Sequence, residues 1–182
     1  MLKTKDILDE SNKVLRSVSK EVSFPLNKKD IDTINLMVEY LTNSQIEELS
    51  EKFDLRPGMG MAAIQLGIKK RYITIVHEFD EGKFDTYIVI NPKIISSSKE
   101  KIYVEDGEGC LSVNRPTEGI VPRHARVTVE GYDIDGNKIQ IRAREELAIA
   151  FQHEIDHLNG ILFIDHIDKK DPYKNSDIYR AI

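Results

Sequence analysis

The chain of 182 residues has a single cysteine, so no internal disulfide can form and the thiol is inert, a nucleophile or a metal ligand. No apolar run approaches the roughly 20 residues that span a bilayer. Met1-Leu2-Lys3-Thr4-Lys5-Asp6 meets charge before any apolar leader core could form, so a cytoplasmic protein with no membrane partner is expected. Basic excess is missing too. Lys and Arg total 26 against 31 Asp and Glu, a net charge of −5, which provides no field to gather nucleic acid, and no direct nucleic-acid specificity is expected. Prolines are few and scattered, and there is no repeat, low-complexity segment or long linker, so residues 1–182 are expected to form one domain. A hydrophobic content of 40% at this length can bury one sizeable core. A monomer is expected.

Apolar periodicity organises the rest. Ile31, Ile34, Met37, Val38 and Leu41 recur at helical spacing from Asp30 to Leu41, with Ile46, Leu49 and Phe53 continuing a helix after a break at Asn43-Ser44. This predicts a core-facing N-terminal helical arm. From Arg71 the character changes to strands around Ile73, Ile75, Tyr87 and Val89, separated by Asp80-Glu81-Gly82. Val127-Thr128-Val129 and Lys138 to Ile141 read as a hairpin, with Asp135-Gly136 supplying the positive φ angles of a tight turn. Arg144 to Leu158 reads as a helix with Glu145 and Glu146 in its first turn and Gly160 ending it. The polar tail from Asp168 to Ile182 predicts a surface strand, a short helix or a frayed end. Helix, antiparallel sheets and helix together predict an α+β fold around a central helix.

That helix carries the sharpest signal, His153-Glu154-Ile155-Asp156-His157. Residues four apart project from one helix face, where two imidazoles can bind one metal ion. Glu154 fits poorly as a third ligand and well as a general base acting on water. Leu147, Ala150, Phe151 and Leu158 give the helix packed flanks. A catalytic site of the zinc type takes three protein ligands and keeps one position open, which calls for one more donor. Cys110, in Glu108-Gly109-Cys110-Leu111-Ser112, is the candidate, and Gly109 lets backbone approach the site closely. An isolated cysteine is otherwise a small buried hydrophobe. A third segment, Gly58-Met59-Gly60-Met61-Ala62-Ala63-Ile64-Gln65, permits close approach of a substrate backbone at Gly60 and offers the Gln65 amide to an oxyanion, or is simply a loop leading into a packed helix.

These residues alone imply a metallohydrolase. A zincin-type metallopeptidase would also use the two histidines and Glu154, with a third ligand downstream, where His166 is the sole histidine. A cysteine hydrolase pairing Cys110 with His153 leaves His157 and Glu154 without roles. A noncatalytic metal-binding module would need four protein ligands, one more than the residues supply. Glu108 and Asp156 are candidates to accept the second N–H of the ligand imidazoles. His77, His124 and His166 are expected to be structural or superficial, and Arg115, Arg123 and Arg126 either order the nearby loop or sense a peptide.

Together and in this order, the three segments resemble the three signature motifs of the peptide deformylases, and the likeness extends from Val14-Leu15-Arg16 to Gly160-Ile161-Leu162-Phe163. Met61 stands where the family usually has leucine, and Ile64 fills a tolerant position. The long interval from Gln65 to Glu108, with Val113, Arg115 and His157-Leu158-Asn159-Gly160, is similar to the class typical of Gram-positive bacteria and mycoplasmas. The resemblance implies removal of formyl from the N-terminal formylmethionine of nascent polypeptides, releasing formate. It implies Fe2+ at Cys110, His153 and His157, with Zn2+, Ni2+ or Co2+ able to substitute. Glu154 would carry the proton, while Gln65 and the Leu111 N–H stabilise the oxyanion. The peptide would lie beside Gly60 and Gly109, with its methionine in a pocket of Met59, Ile149, Ala150 and His153. A transient ribosome contact through Lys169, Lys170, Lys174 and Arg180 and plain solvation of those residues are both open.

Overall fold

The computed structural model describes residues 1–182. The predicted arm is α1 (Lys28–Gln45) followed by α2 (Glu47–Phe53). Asn27 opens α1, its side chain accepting from Asp30 N at 2.9 Å. The expected break at Asn43-Ser44 is absent: α1 runs through both residues and the chain turns at Ile46, whose backbone is extended. Ser44 remains helical because its hydroxyl donates back to Leu41 O at 2.9 Å.

A five-stranded antiparallel sheet follows the order β1 (Gly60–Ala62), β2 (Tyr72–Asp80), β3 (Lys83–Ser97), β6 (Arg126–Tyr132), β7 (Lys138–Arg144). A smaller sheet joins β4 (Lys101–Tyr103) to β5 (Arg123–His124) and, in parallel, to β8 (Arg180–Ala181). α3 (Glu145–Leu158) packs on the large sheet, and the fold is α+β. The tail thus runs mainly through turns and ends in a two-residue surface strand. Its Arg180 bonds both oxygens of Glu145, at 2.8 and 2.9 Å.

β2 explains how the layers form. Tyr72 and Val76 pack with Ile34, Met37, Tyr40 and Leu41 of α1, while Ile73 and Ile75 pack with Phe151, Ile155 and Leu158 of α3. Successive side chains of a strand alternate faces, so a strand covered on both sides reads as the near-continuous apolar run Tyr72-Ile73-Thr74-Ile75-Val76. In the predicted hairpin, Val127 faces Ala143 and Val129 faces Ile141. Its turn is longer than expected. Five residues, Asp133 to Asn137, join the strands, and of the Asp135-Gly136 pair only Gly136 has positive φ. The Asp133 carboxylate holds this loop, accepting from the backbone of Asp135 at 2.9 Å and Asn137 at 2.8 Å. No helix is long and apolar enough to cross a membrane.

Gly160 ends α3 as expected, at φ +75. A β-carbon there would sit 2.6 Å from Arg16 O, so only glycine lets the chain leave the helix directly after His157 and Leu158.

Candidate metal centre and active site

α3 is buried almost all round from Ala148 to Leu158, which places its two histidines in the interior, where free imidazoles rarely go unpaired. The rings of His153 and His157 lie with centroids 5.0 Å apart. Cys110 reaches them from a tight turn closed by Val113 N donating to Cys110 O at 3.1 Å. Its Sγ lies 3.3 Å from His157 Nε2 and accepts from Ser112 N at 3.4 Å. Donor atoms of Cys110, His153 and His157 all fall within 4.8 Å of one another.

The donor set suits a metal ion. One thiol and two imidazole nitrogens converge, and His153 keeps its other nitrogen, Nδ1, for Glu108 Oε2 at 2.9 Å, an arrangement that orients metal-bound histidines generally. Burial opposes a proton on His153, yet Cys110 and Glu108 raise its basicity well above the usual range. His157, by contrast, is held well below its usual range by burial and by His153, and a neutral imidazole is the form that ligates.

Glu154 stands beside the donors and outside their cluster. Its Oε2 is buried without a partner, and burial pushes the carboxyl up to about 7, opposed by His153 and Arg123. Gln65 is 1% exposed; its Nε2 donates to Ser112 Oγ at 3.0 Å and lies 3.8 Å from Cys110 Sγ, while its Oε1 accepts from Ala62 N at 2.9 Å. Gln65 thus faces the centre and also ties the Ala62 backbone to the Ser112 hydroxyl. The Leu111 N–H donates to no protein group.

A cavity of 390 Å³ opens onto these groups, within the range that takes small ligands. It brings together Gln65, Glu154, Cys110 and Leu111 with Met59, Gly60, Gly109, Ile149, Ala150 and His153, all expected from the sequence, and leaves His157 behind them. The family model described as polypeptide deformylase matches residues 4–173.

The chain belongs to the polypeptide deformylase family. Its relatives include the peptide deformylase of Macrococcus caseolyticus, 51% identical over 176 residues that cover 96% of this chain and 95% of the relative. Peptide deformylase 2 of Bacillus cereus is 45% identical over 177 residues, covering 97% and 96%. Among solved structures, the peptide deformylase of Thermotoga maritima superposes with a TM-score of 0.69 at 31% identity, covering 89% of this chain and 96% of that one. Relatives from Gram-positive bacteria agree with the class that the resemblance implied. The chain is an enzyme of the deformylase type, and action on formylated nascent peptides follows from membership.

Within this deformylase, Arg123 holds a place the sequence left open. It is buried between two carboxylates, donating to Glu108 from Nε at 2.7 Å and from Nη2 at 3.0 Å, and to Asp156 from Nη1 at 2.6 Å. Burial alone would raise the Glu108 carboxyl, but His153 and Arg123 bring it down to about 2. Glu108 thus lies within hydrogen-bond reach of His153, one of the candidate donors. Asp156 has no such contact with His157: it points away from His157 to Arg123 and to His166 Nε2, 2.7 Å away. Gln152 fixes the arrangement, its Oε1 and Nε2 bonding His124 N and O, each at 2.9 Å, which clasps β5 and Arg123 to the helix.

Arg56 contributes from outside the three segments' predicted roles. It donates to the carbonyls of Cys110 at 3.1 Å, Leu111 at 3.2 Å and Val113 at 3.3 Å, pinning the cysteine turn. A lone arginine before Pro57 gives no signal in the sequence. His166 does not join the donor group, so the downstream third ligand of a zincin-type site is not present. Gly60 carries a sharper constraint. A β-carbon there would lie 2.5 Å from Glu154 Oε1 and 2.8 Å from its Cδ and Cγ. Gly60→Ala is expected to leave the fold intact while displacing Glu154, lowering kcat/KM about a hundredfold; thermal unfolding beside formate release checks both halves, and unchanged turnover would contradict the contact.

Proposed function

We propose that the chain is a single catalytic domain, residues 1–182, which removes formyl from the N-terminal formylmethionine of nascent polypeptides in the cytoplasm and releases formate. The observation that carries this reading is the convergence of Cys110, His153 and His157 beside the partnerless carboxylate oxygen of Glu154, at the wall of a cavity. Cys110, His153 and His157 would hold one ion, Fe2+ by family resemblance, with Zn2+, Ni2+ or Co2+ able to substitute. When bound, the ion supplies Lewis acidity and makes water a stronger acid.

The remaining chemistry belongs to the chain. Glu154 accepts the proton of the attacking water and returns it to the departing amine, so one carboxylate serves both steps. The free N–H of Leu111 and the Gln65 amide donate to the oxyanion that forms at the formyl oxygen. β1 is an edge strand, so an extended peptide can pair along Gly60 and approach Gly109, with sequence-tolerant main-chain bonds. Met59, Ile149 and Ala150 receive the methionine side chain. The protein acts as a monomer. Any ribosome contact of the tail would fall to Lys169 and Lys170, because Lys174 pairs with Asp168 and Arg180 with Glu100 and Glu145.

The test is formate release from an N-formylmethionyl dipeptide by protein purified without oxygen, with metal content measured on the same sample. Release at about one ion per chain is expected. Bound metal without release would overturn the activity, and active protein without metal would overturn the centre.

A further inference from the structure

The turn that follows α3 grips the ligand His153 in two ways. Phe163 lays its ring on that of His153, with centroids 5.9 Å apart and planes 21° apart. Three residues on, His166 Nε2 lies 2.7 Å from Asp156 Oδ2, and the same oxygen accepts from Arg123 Nη1 at 2.6 Å. Arg123 in turn holds both oxygens of Glu108, and Glu108 Oε2 meets His153 Nδ1 at 2.9 Å. The line starts at the ligand, passes through Glu108 and Arg123, whose side chains are 3% and 4% exposed, and surfaces at His166, 36% exposed. The turn itself is anchored, since Asp165 accepts from Leu162 N at 2.9 Å and pairs with Arg16.

We propose that His166, remote from the cavity, is a positioning residue for the metal centre: its Nε2–H fixes the Asp156 carboxylate, which fixes Arg123 and so the Glu108–His153 contact. The inference rests on the metal-site reading above. A neutral imidazole with its proton on Nε2 is enough. Asp156 Oδ2 is shared by two donors, and its side chain is 19% exposed, so without His166 it can turn toward water and take the Arg123 head with it. A guanidinium that shifts releases Glu108, and a looser Glu108 weakens both the orientation and the donor strength of His153. The orientation of the His153 ring is thereby governed from the surface, by the turn that follows α3.

The comparison is His166→Phe against His166→Gln, which keeps an N–H donor near the position of Nε2. Protein loaded with Co2+ is mixed with excess chelator, and the loss of the thiolate-to-cobalt absorption is timed; thermal unfolding of metal-free samples is recorded alongside. The phenylalanine variant is expected to release cobalt about tenfold faster, the lower end of the effect of losing a group that supports a ligand, with an altered cobalt spectrum. The glutamine variant is expected to stay near wild type in both. Equal release by the two variants, fast or slow, overturns the positioning role. Should the phenylalanine variant fail to fold, His166→Ala takes its place, and failure of both makes His166 a folding residue and overturns the proposal. Wild-type protein that binds no cobalt overturns the metal centre itself, an outcome distinct from any difference among the variants.

Discussion

Glu154→Gln is expected to lower kcat for formate release by about two to four orders of magnitude, the range lost with a positioned general base. The amide keeps the size of the carboxylate and removes only its basicity. Glu154 lies outside the donor group of Cys110, His153 and His157, so metal content should not change. Its surroundings suit the proposed proton transfer. Burial raises the carboxyl to about 7, close to the pH at which accepting and returning a proton cost least. The checks are single-turnover formate release and metal analysis of the variant. Turnover within severalfold of wild type would remove Glu154 from the proton path, and a variant lacking metal would show that Glu154 supports the centre rather than the reaction.

Arg123→Met is expected to be the most damaging change outside the cavity. The guanidinium is 4% exposed and neutralises Glu108, 3% exposed, and Asp156, 19% exposed. Methionine fills much of the volume and none of the charge, leaving two carboxylates close together in the interior. Removing one partner of a buried ionic group costs about 3–5 kcal/mol, which corresponds to a fall in Tm of roughly 10 °C for a domain of this size. Glu108 would lose its hold on His153 as well, so metal affinity should fall about 10- to 100-fold. Urea unfolding of the metal-free protein separates the first effect from the second. A variant as stable as wild type would mean that water replaces the guanidinium at both carboxylates. The cluster need not make the fold more stable than an apolar core would; its consequence is a single orientation for Glu108 and Asp156.

Much of the site was legible because its chemistry is local. Two histidines one helical turn apart share a face whatever the fold, and a glutamate next to the first lies beside them. The strand-to-helix order and the apolar periods of α1 and α3 were legible for the same reason, since both repeat within a few residues. Errors fell where short-range signals compete. Asn43 and Ser44 favour helix ends, but Ser44 satisfied its hydroxyl on Leu41 O within the helix and α1 continued. Asp135-Gly136 marks a turn, but the Asp133 carboxylate closed a longer one.

The sequence by itself determined the donor types, the helix that carries two of them, the glycines at Gly60 and Gly160, and the family to which the chain belongs. Only the tertiary structure decided which distant groups meet. Cys110 joins His157 across 47 positions of chain, Arg56 reaches the Cys110 turn across 54, and Arg123 binds Asp156 across 33. Such contacts leave no period in the sequence, because they are selected by how α3 stacks on the sheet and where Gln152 clasps β5. That packing also turned Asp156 from His157 to Arg123 and His166, an outcome set by the guanidinium and imidazole that the fold brings to its carboxylate rather than by sequence proximity.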